Sequence, residues 1–216
     1  KYRYFDSQTQ GVDFEGMLAD ISALAEHSFV LLHPCCHNPT GADLSNDQWL
    51  QLIAVLKEKK LIPFLDMAYQ GFGQGLDEDA FAIREMAKAG LEFLVANSFS
   101  KNFSYYAERC GGLSIVCKDQ TQADQVLGKL NAWVRKNYSN PPAHGGHAIA
   151  TVLDSDELYQ SWLADVTAMR ARIHAMRHAV YDRLNELAPA YDASYMIKQQ
   201  GMFSYTGLSM AQITRL

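Results

Sequence analysis

Leu94-Val95-Ala96-Asn97-Ser98-Phe99-Ser100-Lys101, with Arg109 eight residues further on, decides how this chain is read. Leu94 to Phe99 is mostly apolar and leads into small polar residues, the pattern of a sheet-core strand running out into a loop. Lys101 then stands just past a strand end. A lysine so placed can form a Schiff base with an aldehyde, while Arg109 offers a planar fork of donors matched to phosphate oxygens. Ser98 and Ser100 add hydroxyls. Taken alone, the same residues also suit a solvated surface lysine and a surface ion-pair arginine.

Two upstream segments end in the same way. Leu61 to Leu65 reads as a short apolar strand stopped by Asp66, with Tyr69 three residues on. Phe29 to Leu32 reads as another, followed by His33-Pro34-Cys35-Cys36-His37-Asn38-Pro39-Thr40-Gly41. Three successive strand ends thus carry Asn38, Asp66 with Tyr69, and Lys101, at the edge where open α/β sheets place their ligands. Each residue also suits a turn or cap, but together they favour a site. Pyridoxal phosphate chemistry needs this set. The lysine supplies the Schiff base, and a carboxylate facing the pyridine nitrogen keeps it protonated and strengthens the ring as an electron sink. Tyr69 and Asn38 suit the ring hydroxyl.

The rest of the chain follows an α/β rhythm. Ser45 and Gln48 form a capping-box pattern ahead of a helix with Trp49, Leu52, Ile53 and Leu56 on one face. A second helix is expected from Ala80 to Lys88, stopped by Gly90. Gly112 to Cys117 is a strand candidate. The stretch from Lys101 to Gly111 is too short for a crossover helix, so that strand should run antiparallel to its neighbour in a mixed sheet. Helices are expected over about 120–136, with Leu127, Leu130 and Val134 facing inward, and over about 142–153. Trp162, Val166, Met169, Ile173, Met176, Val180, Leu184 and Leu187 then give one long helix an apolar stripe, read as core. Strands are expected near Tyr195 and Met202, and Ser209 is the expected N-cap of a helix reaching Leu216.

Composition sets limits. With 48% hydrophobic and 20% charged residues and a formal net charge of -5, the chain has no basic face for nucleic acid. Its apolar runs have strand length, too short to span a membrane. The 216 residues begin without a methionine and stop inside a helical pattern, so both ends read as breaks in a longer chain. Four cysteines, at 35, 36, 110 and 117, fit reduced thiols in a cytoplasmic protein better than a disulfide framework. His33, Cys35, Cys36 and His37, with His144 and His147, offer a rival zinc reading. Adjacent cysteines lack the spaced pairs of structural zinc sites, and small buried hydrophobes explain them as well.

The segments HPCCHNPTG (33–41), DMAYQGFGQG (66–75), SFSKNFSYYAERCGG (98–112), VRKNYSNPPAHGG (134–146) and KQQGMFSYTGL (198–208) resemble, in order and spacing, the class I (fold type I) aminotransferases of the aspartate and aromatic amino acid branch. Pro34 and Tyr205 incline the resemblance toward the bacterial aromatic-amino-acid (tyrosine) members. Tyr105 and Cys110 stand where smaller aliphatic residues are common in that family. The resemblance implies a PLP-binding α/β fold with a mostly parallel mixed sheet, helices on both faces and the start of a smaller α+β domain. It makes residues 1–168 part of the large domain and 169–216 the linking helix and start of the small one, the boundary falling near Met169 within one continuous helix.

What the resemblance implies for the site goes residue by residue. Lys101 carries the Schiff base with pyridoxal 5'-phosphate and moves protons, Asp66 pairs the pyridinium nitrogen, and Asn38 and Tyr69 bond the ring hydroxyl. Ser98 and Arg109, with Ser100 nearby, hold the phosphate, and His33 stands behind Asp66. Arg135 is lent by a neighbouring subunit of a homodimer to the substrate side chain, and Asn38 also faces substrate. The Asn38–Pro39 peptide bond is expected to be cis. The reaction implied moves an amino group between aromatic or dicarboxylic L-amino acids and 2-oxo acids. By the same resemblance the chain covers about the middle half of such an enzyme, without the phosphate loop and the α-carboxylate arginine. Alone it is expected to show no transamination, leaving a folded cofactor-binding or structural module as the alternative.

Overall fold

A computed structural model describes residues 1–215, so the Leu216 end of the expected terminal helix lies outside the described residues. The chain opens with a small antiparallel pair, β1 (Phe5–Asp6) and β2 (Gly11–Val12), and helix α1 (Phe14–Ser22), whose first turn is capped by Asp13. Strand β3 (Phe29–Leu32) leads to α2 (Asn46–Glu58), and β4 (Ile62–Met67) to a 3-10 turn at Glu78–Ala80 and α3 (Phe81–Lys88). Strand β5 (Phe93–Ser98) returns as β6 (Gly111–Val116). Helices α4 (Gln120–Asn137), α5 (His144–Leu153), α6 (Asp156–Leu187), α7 (Tyr195–Lys198) and α8 (Met210–Arg215) complete the chain.

The four-stranded sheet has the order β3-β4-β5-β6, with β3, β4 and β5 parallel and β6 antiparallel. Period-2 alternation sends Val30, Leu32, Leu65, Met67, Phe93 and Val95 to one face, where they pack on Met17 and Ile21 of α1, Leu52 and Leu56 of α2 and Met86 of α3. These side chains are almost completely buried, each worth roughly 1.5–3 kcal/mol of transfer from water. On the opposite face Phe29 and Leu31 remain 66% and 52% exposed. Ser45 and Gln48 close the capping box of α2 in both directions, and Gly90 ends the α3 segment at φ +74. Ser209 and Gln212 form the same reciprocal pair at α8.

Three expectations are corrected. Residues near Tyr195 and Met202 form a short helix and a turn instead of strands, because their carbonyl groups curl around Arg177 instead of entering a ladder. Helix α4 buries no residue, and Leu127, expected inward, is 57% exposed. The stripe on α6 is core only in part. Val166 is buried and Met169 and Ile173 pack against the core, whereas Met176, Val180 and Leu187 are exposed. Periodicity gives a helix its apolar face but cannot show that a partner within reach covers it.

Candidate active site

The C-terminal ends of β3, β4 and β5 deliver the predicted residues to one edge of the sheet. Asp66 is the fifth residue of β4, in register with Ala96 of β5. Tyr69 follows it, buried, and the Lys101 amine lies 4.7 Å from the centre of the Tyr69 ring. The Lys101 loop is pinned from two sides. The Asn102 amide donates to the Gln70 carbonyl at 3.3 Å, and the Trp162 indole N–H donates to the Asn102 carbonyl at 2.8 Å. Phe103 stacks on Trp162 with ring centres 4.6 Å apart. Trp162, read from the sequence only as part of an apolar stripe, therefore holds the loop of the candidate lysine.

The β3 end is a tight loop. The Asn38–Pro39 bond is cis, as the resemblance implies. The Asn38 backbone N–H donates to His33 Nδ1 at 3.2 Å, so the His33 ring proton sits on Nε2. His33 is held below its usual pKa by burial, against the opposing pull of the Asp66 charge. That electrostatic contact fits a histidine behind Asp66. Burial raises the Tyr69 hydroxyl pKa, the negative charge of Asp66 raises it further, and a hydrogen bond with the Asn38 side chain opposes both. Asn38, Asp66, Tyr69, Lys101 and His33 are thus neighbours.

Asp43 and Phe203 carry no signal in the sequence, and His37 carries one only in the zinc reading. The Asp43 carboxylate accepts the backbone N–H groups of Cys36 at 2.6 Å and His37 at 2.7 Å, and burial lifts its pKa to about 6 despite them. The His37 ring stacks on Tyr4 at 3.8 Å, and burial, then the neighbouring His33, lower its pKa to about 4. Phe203 and Tyr69 meet at right angles with ring centres 5.5 Å apart.

The phosphate and substrate arginines are arranged differently. Ser98 Oγ accepts the Ser100 N–H at 3.3 Å, Ser100 is buried, and the Phe99 N–H donates to the Cys110 carbonyl, which sets Arg109 across the hairpin from this pair. Arg109 itself is exposed at φ +53, donates to the Tyr106 carbonyl at 2.8 Å, and lines an open cavity of about 620 Å³ with Phe99, Pro141 and Ile149. Arg135 is exposed near the end of α4 and donates to Ser139 Oγ at 2.6 Å. Neither arginine makes a described hydrogen bond to the Lys101 group.

The rival zinc set is not gathered. Among the described residues the one group of three potential ligands is Cys35, Cys36 and Asp79, without His33 or His37. The Asp79 carboxylate is already taken up by the backbone N–H groups of Gly71, Gly73, Gln74 and Gly75. His144 and His147 lie apart on α5. Among the described residues no helix is long and apolar enough to cross a membrane.

Comparison with known proteins bears on this arrangement. The family model described as aminotransferase class I and II matches residues 1–215. Tyrosine aminotransferase of Klebsiella pneumoniae is 57% identical over 215 residues, and aspartate aminotransferase of Pseudomonas aeruginosa 48% over 215. Each comparison covers 100% of this chain and 54% of the relative, so the chain spans about half the length of the curated relatives it matches. The crystal structure of the aromatic-amino-acid aminotransferase from Burkholderia pseudomallei covalently bound to pyridoxal phosphate superposes with a TM-score of 0.97 at 48% identity, covering 99% of this chain and 54% of that one. The mixed sheet with its helices is consistent with fold type I. With its sequence matched over residues 1–215 and its sheet superposing on solved members, the chain belongs to the aminotransferase class I and II family.

Proposed function

We propose that the whole protein to which this chain belongs is a pyridoxal 5'-phosphate-dependent transaminase moving an amino group between aromatic or dicarboxylic L-amino acids and 2-oxo acids. The observation that carries the reading is the Lys101 amine, 4.7 Å over the Tyr69 ring, at a sheet edge shared with Asp66 and Asn38. The donor set fits the cofactor. It has a lysine for the aldehyde, a carboxylate for the pyridine nitrogen, an amide and a phenol for the ring hydroxyl, and Ser98 and Arg109 for the phosphate. When bound, the cofactor supplies an electron sink for charge developing at the substrate α-carbon.

The chain's own residues do the rest. Lys101 would be the base that accepts a proton from the substrate α-carbon and returns it on the other side of the reaction, a role that needs its amine neutral. Asp66 would pair the ring nitrogen, and His33 behind it contributes a neutral N–H. Tyr69 and Asn38 orient the ring. Arg135 serves the site of a second copy in a homodimer with shared active sites, binding the distal carboxylate of a dicarboxylic substrate. Residues 1–168 then form part of the large cofactor-binding domain and 169–216 the linking helix and start of the small one, with α6 running unbroken across the boundary at Met169. The same reading puts the protein in the cytoplasm, where thiols such as Cys35 and Cys36 stay reduced.

Borohydride reduction of the cofactor-loaded whole protein, followed by peptide mapping, tests this reading. The cofactor label is expected on Lys101. A label on Lys118 or Lys136 instead overturns it.

A further inference from the structure

We propose that Arg177 is a positioning residue for the candidate cofactor site, gathering the carbonyl groups of residues 196–203 so that this segment seats Phe203 on Tyr69 and Gly201 on Cys36. The inference deepens the functional reading above and rests on it in one respect, that Tyr69 belongs to the cofactor site.

Arg177 is one of two buried residues on the 32-residue helix α6, and the other is apolar. Its guanidinium spends its donors on one short segment. Nε donates to the Gly201 carbonyl at 3.1 Å. One terminal nitrogen reaches the Met196 carbonyl at 2.8 Å and Ser204 Oγ at 2.7 Å. The other reaches the carbonyls of Gly201 at 2.7 Å, Phe203 at 2.5 Å and Gln200 at 3.3 Å. Four carbonyl oxygens from one segment converge on a single cation. Without the cation those converging dipoles oppose one another, so the turn they define is held by Arg177.

That turn docks directly on the loop carrying Asn38. The Gln200 N–H donates to the Gly41 carbonyl at 2.7 Å. Gly41 and Gly201 both have positive φ, and both are glycine at points of close approach. A Cβ on Gly41 would collide with the Phe203 carbonyl, and one on Gly201 with Cys36. Beyond the turn, Phe203 meets the Tyr69 ring edge to face at 5.5 Å, and Lys101 lies over that same ring. The route from Arg177 to the reacting amine therefore runs through the turn, Phe203 and Tyr69, each step a contact. No carboxylate pairs with Arg177 within ion-pair distance among the described residues. Its charge is balanced by carbonyl dipoles. A lysine could reach some of these acceptors but has three donors in place of five and no planar fork.

The test uses the whole protein loaded with pyridoxal phosphate and reads the pH midpoint of the bound cofactor's visible absorbance change, which depends on the groups facing the ring hydroxyl. Arg177→Met is expected to move the midpoint by about one pH unit, the size of losing one well-placed hydrogen-bond partner. Arg177→Lys should recover part of the shift. Phe203→Leu leaves the clamp intact but removes the aromatic ring, and should move the midpoint in the same direction; with Arg177→Lys it carries the test if Arg177→Met does not fold. Leu52→Ala, at a fully buried position on α2 that makes none of the clamp's hydrogen bonds, should lower the melting temperature without moving the midpoint. Borohydride labelling at Lys101 is run on every variant. Label at Lys101 with unmoved midpoints in the Arg177 and Phe203 variants overturns the inference alone. A midpoint that follows stability, shifting equally in Leu52→Ala, also overturns it. Absence of the Lys101 label in the wild-type protein removes the functional reading and the inference with it.

Discussion

The strand-end loops around Lys101 and the stretch from Tyr105 to Pro142 hold the two halves of the proposed site, and they differ in what fixes them. In the first, Tyr69 is buried, Asp43 bonds the Cys36 and His37 N–H groups, and Trp162 and Asn102 tie down the lysine loop. In the second, Arg109 and Arg135 are exposed, α4 buries nothing, and Trp133 is 67% exposed. Residues proposed to do the chemistry are thus placed by this chain's own core. Residues proposed to hold the phosphate and select the substrate sit on a surface that the described residues leave open, as expected if a second copy completes it.

The fixed half predicts the largest effect. Asp66→Asn in the whole protein should retain cofactor while turnover falls by about 10³-fold, some 4 kcal/mol, because an amide cannot stabilise the pyridinium by charge. Steady-state kcat measured beside cofactor absorbance checks this. Near-normal turnover would remove Asp66 from its role and break the comparison on its better-packed side.

The open half predicts a smaller and more selective effect. Arg135→Ala should lower kcat/KM for aspartate or glutamate by about 10²-fold, the loss of a bidentate carboxylate pair, while phenylalanine and tyrosine are spared far more. Helix dipole alone explains a basic residue near the end of α4, and under that explanation neither substrate class loses rate. An equal loss for both classes would show that Arg135 is no side-chain selector.

The same division explains how much was legible in the sequence. Strand ends, the Ser45–Gln48 capping box and the antiparallel return of β6 are local rules of spacing and loop length, and the structure follows them. The resemblance supplied the cis bond at Pro39 and the list of site residues. The inward face expected for Leu127 and the outer part of the α6 stripe failed because periodicity reports an apolar face without reporting its partner. Arg177 was invisible for a different reason. Its acceptors are mainly backbone carbonyls, which every residue has, so no pattern of side chains in residues 196–203 marks them. The strands expected near Tyr195 and Met202 were lost to the same contacts.

The smallest predicted effect sharpens the comparison from inside the fixed half, where burial should show as a pH dependence of stability. His37 has a pKa of about 4 in the folded chain, pushed down first by burial and then by His33, against about 6.5 for a free imidazole. The unfolded chain therefore takes up this proton first as pH falls. The stabilisation from keeping His37 neutral is complete above about pH 6.5 and is lost progressively toward pH 4, a contribution on the order of 1–3 kcal/mol. Asp43 works in the opposite sense. Its pKa is raised to about 6, so folding favours its protonated form, and its contribution grows as pH falls from about 6 toward 4, offsetting part of the loss. His37→Phe keeps an aromatic ring on Tyr4 and removes the titrating group, although it forfeits the 2.8 Å bond to Thr40 Oγ. Absolute stability is then not the measure. The melting temperature of the whole protein should fall less between about pH 7 and about pH 4.5 in the variant than in the wild type, by a few degrees. Parallel curves would mean that His37 ionises as freely as in solution, and that the loop carrying Asn38 is no better shielded than the open surface around Arg135.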